Sequence, residues 1–173
     1  SISRILLKFK PNIIFHLAAE SHVDNSINGP KSFLNSNIIS TFNILESIRI
    51  INNYKKNFLL MHISTDEVYG SLNNLKSKSF DEKSKYYPNS PYSATKASSD
   101  LLVRAWYKTY RIPTITTNCV NNYGTWQFPE KLIPVVISAC INKSIIPVYG
   151  NGKNIREWIH VEDHINTLIK LSK

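Results

Sequence analysis

Hydrophobic residues fall along the chain in two rhythms. Asn12-Ile13-Ile14-Phe15-His16-Leu17 and Phe58-Leu59-Leu60-Met61-His62-Ile63 are continuous runs of strand length. Both read as buried strands of a parallel sheet. Between them, from Pro30 to about Asn52, Phe33, Ile38, Phe42, Leu45, Ile48 and Ile51 recur at spacings of three to five. That spacing predicts a core-facing helix opened by Pro30 and closed by Asn52-Asn53 and Lys55-Lys56. Strand, helix, strand is a βαβ unit, with parallel strands and a right-handed crossover. Pro91 opens a second predicted helix running to about Tyr110, with Ala94, Ala97, Leu101 and Leu102 facing inward. Ile112-Pro113-Thr114-Ile115-Thr116-Thr117 leads into a third strand, which ends in the polar stretch from Asn118 to Gly124.

Beyond Gly124 the texture changes. A short helix is expected to about Asn142, a brief strand over Ile145-Ile146-Pro147-Val148-Tyr149, and a turn at Gly150-Asn151-Gly152. Ile155 to His160 is strand-like, and a helix starts at Val161. Gly70 to Asn89 is a polar loop carrying Phe80-Asp81-Glu82 and Tyr86-Tyr87. Loops of this length often cover a site, although a plain surface excursion fits the same residues. The fold class is α/β, a doubly wound parallel sheet.

This arrangement puts chemistry at the carboxyl ends of strands, where open α/β sheets bind their ligands. Thr65, Asp66 and Glu67 follow the second strand; Ala18-Ala19-Glu20-Ser21-His22, with small residues that let a ligand approach the backbone, follows the first. Asn118 to Asn122 follows the third, so three polar clusters share one rim. Tyr92 and Lys96 lie one helical turn apart. A Tyr is a poor base near neutral pH, and a neighbouring ammonium is expected to lower its pKa. With the Thr65 hydroxyl, the pair is equipped to take a proton from an alcohol while a hydride leaves its carbon. Asp66 and Glu67 suit elimination of water, one ionised and the other protonated. Adjacent strand residues point to opposite faces, so both acids serve only if the chain bends there; a helix N-cap or a structural ion pair is the alternative.

Composition narrows the partners. The 173 residues are 42% hydrophobic and 19% charged, as in a soluble globular domain. No apolar run reaches membrane-spanning length. The net charge is +9 and the pI about 9.5, but the lysines are dispersed, without a dense basic run interleaved with aromatics. A solvated basic surface, or attraction of a small anionic nucleotide, fits better than nucleic-acid binding. Cys119 and Cys140 show no metal or redox spacing and read as reduced cytoplasmic thiols; no metal site is expected.

Several stretches together carry a resemblance: Leu17-Ala18-Ala19-Glu20-Ser21-His22-Val23-Asp24, Ser64-Thr65-Asp66-Glu67-Val68-Tyr69-Gly70, Ser90-Pro91-Tyr92-Ser93-Ala94-Thr95-Lys96-Ala97, Asn121-Asn122-Tyr123-Gly124, Phe128 to Pro134, and Arg156 with Val161-Glu162-Asp163-His164. The chain resembles the extended short-chain dehydrogenases/reductases, and most closely the dTDP-glucose 4,6-dehydratases of the NAD-dependent epimerase/dehydratase family. The resemblance implies a Rossmann-like sheet, with residues 1–124 in the NAD-binding domain and 125–173 starting a smaller substrate-binding region. It implies that Tyr92 takes the 4-hydroxyl proton of the sugar, Lys96 tunes Tyr92 and holds the nicotinamide ribose, and Thr65 bonds the 4-oxygen. Glu67 would remove the C5 proton and Asp66 protonate the leaving 6-hydroxyl. Leu17, Ala18, Ala19, Glu20, Ser21, Ser36, Tyr92, Lys96 and Asn122 would line NAD. Ser21, Thr65, Asn121, Lys131, Leu132, Pro147, Val148, Tyr149 and Arg156 would line the nucleotide sugar, dTDP-glucose, with Arg156 on the diphosphate. The paired acids set the dehydratases apart from related epimerases. A cytoplasmic homodimer without nucleic-acid or membrane partners is implied as well.

Two positions depart from the family pattern: Thr125 and Val120 stand where Pro and Ser are commoner. No Gly-rich phosphate loop precedes residue 12. That loop belongs to a first βαβ unit of about 30 residues, so the chain is expected to be a piece of a longer protein with a bare sheet edge. Two alternatives stay open from the residues: an inactive remnant serving as a binding or scaffold piece, and the same chemistry on UDP-glucose.

Overall fold

The computed structural model describes residues 2–51, 58–72, 79–148 and 151–173. The expected helix end at Asn52 to Lys56, and Tyr149, lie outside them. The chain divides into two compact units, one built on the residues up to Ser71 with Ser79–Cys119, the other chiefly on Val120–Leu171.

The first unit holds three parallel strands in the order β1 (Ile13–His16), β2 (Leu59–Thr65), β3 (Thr114–Cys119). The central strand β2 is buried from Leu60 to Thr65, because neighbours on both sides and helices on its faces leave it no solvent side. β1 was expected to be buried, and here the structure differs. Only His16 is buried, and Phe15 is 41% exposed. Among the described strands β1 pairs on one side only, so its apolar residues lack half their cover.

Helices α1 (Ile2–Phe9), α4 (Ser40–Ile51) and α5 (Pro91–Tyr110) supply the main core: Leu6, Leu45, Ile48 and Val103 pack with Phe58, Leu60 and Ile112. The helix expected from Pro30 is continuous but composite. It runs as α3 (Pro30–Phe33), a π-helical turn over Leu34–Ile39, and α4. A π turn advances the helical phase. Phe33, Leu45 and Ile48 are buried as expected, but Phe42 is exposed, its ring meeting Trp106 edge-on at 6.0 Å, while Asn37 and Thr41 go inside. Two short helices escaped the sequence pattern, α1 and α2 (Val23–Asn28).

α5 has the bounds its pattern predicts. Ser90 and Ser93 form a reciprocal capping box and Pro91 takes the first turn. Its inward face is not the predicted one. Ala97 is buried, yet Ala94 and Leu101 are exposed, and the interior is lined by Tyr92, Ser93, Thr95, Lys96, Ser99, Asp100 and Val103. Counting apolar residues misses a face whose polar groups are all paired.

In the second unit β4 (Asn121–Tyr123) and β5 (Trp158–His160) pair in parallel. α6 (Leu132–Ile141) and α7 (Val161–Leu171) stand where expected. The brief strand expected from Ile145 is irregular over 145–148, with Ile145 93% exposed. Pro147 has no N–H to give a ladder.

Candidate active site

The site is built on the end of β2. Thr65 keeps extended dihedrals, φ −140° and ψ 152°, and Asp66–Tyr69 then form a 3₁₀ turn. The chain therefore bends where use of both acids requires it. Asp66 and Glu67 are half-buried in the first turn. The Thr65 hydroxyl accepts the Glu67 N–H at 3.3 Å and donates to Asp66 Oδ1 at 3.3 Å, so Thr65 caps the turn.

Tyr92 and Lys96 face this turn from α5. The Tyr92 N–H donates to Ser26 Oγ at 3.2 Å, and the ring meets Phe33 edge-on. Burial pushes the phenol pKa upward, the Glu67 carboxylate adds to this, and hydrogen bonding with Thr65 opposes it. The expectation that Lys96 lowers the phenol pKa is not met. The buried Lys96 ammonium donates to the Ile63 carbonyl at 2.8 Å, and the net shift of the phenol is upward, with desolvation its largest cause. Burial also pulls the Lys96 pKa down, while the nearby Asp100 acts upward.

Leu17, Ala18, Ala19, Glu20 and Ser21 form an exposed loop directly after β1. Asn37, on the π turn beside the half-buried Ser36, holds it. Asn37 Oδ1 accepts the Glu20 N–H at 2.9 Å, and Nδ2 donates to the Glu20 carbonyl at 3.0 Å and to Thr95 Oγ1 at 2.9 Å. The strand register aligns His16 with His62 and Thr65 with Cys119, so the first unit gathers Leu17 to Ser21, Thr65 to Glu67, Tyr92 and Lys96 about its strand ends. Asn37 was missed because it sits within an apolar helical rhythm; a polar residue on that buried stripe was the available signal.

The remaining candidates belong to the second unit. Asn121 and Asn122 lie on β4, not at the end of β3 as expected: β3 closes at Cys119 and the following residues join a second sheet. Asn122 Oδ1 is 2.8 Å from His164 Nδ1. Lys131 caps α6 through its backbone and Leu132 opens it, 54% exposed. Pro147 and Val148 lie in the irregular stretch. Arg156 is exposed, with one guanidinium N–H on the Ile155 carbonyl at 2.9 Å.

Comparison with known proteins agrees with this architecture. A dTDP-glucose 4,6-dehydratase of Shigella flexneri is 51% identical over 97% of this chain and 50% of its own length. That of Salmonella typhimurium is 50% identical over 96% of this chain and 50% of its own. The chain thus spans about half the length of the curated relatives it matches. Among solved structures, a dTDP-glucose 4,6-dehydratase from Streptomyces venezuelae with NAD bound superposes with a TM-score of 0.90 at 41% identity, covering 99% of this chain and 51% of that one. A UDP-glucuronic acid 4-epimerase from Bacillus cereus, in complex with UDP-glucuronic acid and NAD, gives 0.88 at 27% identity over 100% of this chain and 52% of its own. The family model described as GDP-mannose 4,6 dehydratase matches residues 1–173, and the chain belongs to that family.

Proposed function

We propose that the protein carrying this chain is a cytoplasmic, NAD-dependent 4,6-dehydratase acting on dTDP-glucose. The observation that carries this reading is the 3₁₀ turn that presents Asp66 and Glu67 together at the end of β2, in the unit that also holds Tyr92 and Lys96 on α5. A dehydratase and an epimerase share this fold, so fold alone does not choose between them; two acids beside a Tyr–Lys pair favour elimination. The names of the relatives at about 50% identity favour dTDP-glucose over the GDP-mannose of the family description.

The donor set suits NAD. Lys96 has three N–H groups, of which the Ile63 carbonyl takes one, leaving two for ribose hydroxyls. The small-residue loop from Leu17 to Ser21 exposes backbone for close approach, and Ser36 lies beside its Asn37 anchor. When bound, NAD supplies the acceptor and later the donor of a hydride. Tyr92 takes the proton of the sugar 4-hydroxyl. Thr65 bonds the 4-oxygen. Glu67 removes the proton at C5, made acidic by the ketone at C4, and Asp66 protonates the departing 6-hydroxyl. Arg156 is assigned to the diphosphate, which its planar fork fits. The same reading includes a homodimer, supported by the exposed apolar side chains Phe42, Ile50 and Leu101 on α4 and α5.

The test uses the complete protein as its source makes it, with dTDP-glucose, UDP-glucose and GDP-mannose compared. Conversion of dTDP-glucose to a 4-keto-6-deoxy product is expected to be fastest. Tyr92→Phe should lower turnover by about 10²–10⁴-fold. Glu67→Gln should still oxidise the sugar, seen as NADH absorbance, yet release no product. Product formation at the wild-type rate by Glu67→Gln contradicts the role assigned to Glu67.

A further inference from the structure

One buried group stands apart from the chemistry assigned so far. Asp100, 4% exposed, lies on α5 one turn beyond Lys96. Its carboxylate accepts four donors. His62 Nε2 reaches Oδ1 at 3.1 Å, while Ser64 Oγ, the Tyr86 hydroxyl and Asn118 Nδ2 reach Oδ2 at 2.7, 2.9 and 3.3 Å. The donors come from β2, from β3 and from the loop before α5. Two of them continue to the ends of the 3₁₀ turn. Asn118 Nδ2 also donates to the Thr65 carbonyl at 3.3 Å. The Tyr86 ring meets Tyr69, the last residue of the turn, edge-on at 5.3 Å.

We propose that Asp100 is a positioning residue, which fixes the Thr65–Tyr69 turn against the helix carrying Tyr92 and Lys96 by gathering Asn118, Ser64 and Tyr86 on one carboxylate oxygen. The proposal rests on the dehydratase reading for its consequence in catalysis, and on geometry alone for its consequence in structure. A carboxylate is purely an acceptor, so it satisfies four donors that an apolar residue leaves orphaned in the interior. It touches none of the reacting groups named above and acts through Asn118, one side chain from the Thr65 backbone. Holding the turn calls on the acceptor geometry of the carboxylate, while its charge separately acts upward on the Lys96 pKa. The carbonyl of an Asn at this position can face Ser64, Tyr86 and Asn118, and its NH₂ can face the ring nitrogen of a neutral His62, whose pKa burial holds low.

The test uses the complete protein with NAD and two readouts. In steady-state turnover of dTDP-glucose, Asp100→Leu should lower kcat at least tenfold with KM within threefold, and Asp100→Asn should restore most of the loss. Should Asp100→Leu fail to fold, Asn118→Leu leaves Asp100 its other three donors and should give the same kcat loss at unchanged KM. In hydrogen exchange, Asn118→Leu should speed the amides of Val68 and Tyr69 at least tenfold more than those of the α4 core, so that the change is local and not a general loss of stability. Unchanged exchange there, or an unchanged kcat in Asn118→Leu, overturns the proposal. If the wild-type protein leaves dTDP-glucose untouched, the dehydratase reading fails, and hydrogen exchange still decides whether Asp100 and Asn118 hold the turn.

Discussion

His16 shows how far a residue's surroundings can move its chemistry. It is buried at the end of β1, with Nε2 2.9 Å from Thr41 Oγ1 and its ring 5.1 Å from that of His62. Burial first, then the His62 and Lys96 charges, bring its pKa down to about 3. The folded value lies below the unfolded one near 6.5, so the unfolded chain binds the proton that the folded chain refuses. Stability is therefore fully present above about pH 6.5 and is lost as pH falls from there toward 3, at up to about 1.4 kcal/mol per pH unit for such a group. Denaturant midpoints between pH 7 and pH 5 should fall for the wild type and fall less steeply for His16→Gln; equal slopes contradict this account. At this scale the sequence singled out Thr65, Asp66, Glu67, Tyr92 and Lys96 by the chemistry of their types and spacing, and the fold brings them about one strand end. The sequence was silent on their partners. Lys96 meets the carbonyl of Ile63, 33 positions away, and nothing in local spacing reports that.

Among elements, β2 and α5 were legible because both write their ends into the sequence. An apolar run stops at Thr65, and Ser90-Pro91 caps a helix. The π turn at Leu34–Ile39 was not legible; the contacts of its buried Asn37, to the Glu20 backbone and to Thr95, are tertiary and leave no trace in local spacing. The stretch at 145–148 carries β-branched residues that suggest a strand, yet among the described residues it pairs with none. The turn that ends β2 depends on Gly70. Its φ is +104°, and a Cβ would stand 2.8 Å from the Tyr87 carbonyl oxygen, just where the Tyr87 N–H donates to the Val68 carbonyl at 2.8 Å. Gly70→Ala should cost about 1–3 kcal/mol through backbone strain and that collision. Thermal unfolding reads the loss directly, and a melting temperature equal to that of the wild type contradicts it.

For the whole molecule, the parallel α/β sheet and the family followed from the sequence, the first from the alternation of apolar runs and helical rhythm, the second from the resemblance carried by the motifs around Thr65, Tyr92 and Asn121. The assignment of Asn121 and Asn122 to a separate sheet did not, since a one-residue break between β3 and β4 leaves little trace in composition. Among the described residues no helix is long and apolar enough to cross a membrane. The activity proposed for the complete protein is removal of water across C5 and C6 of a nucleotide sugar while a hydride moves from C4 to C6. The most direct test follows dTDP-glucose deuterated at C4 through turnover by the complete protein. The account predicts a 4-keto-6-deoxy product with the deuterium at C6. A product carrying no deuterium at C6, or a sugar changed only in configuration at C4, contradicts it.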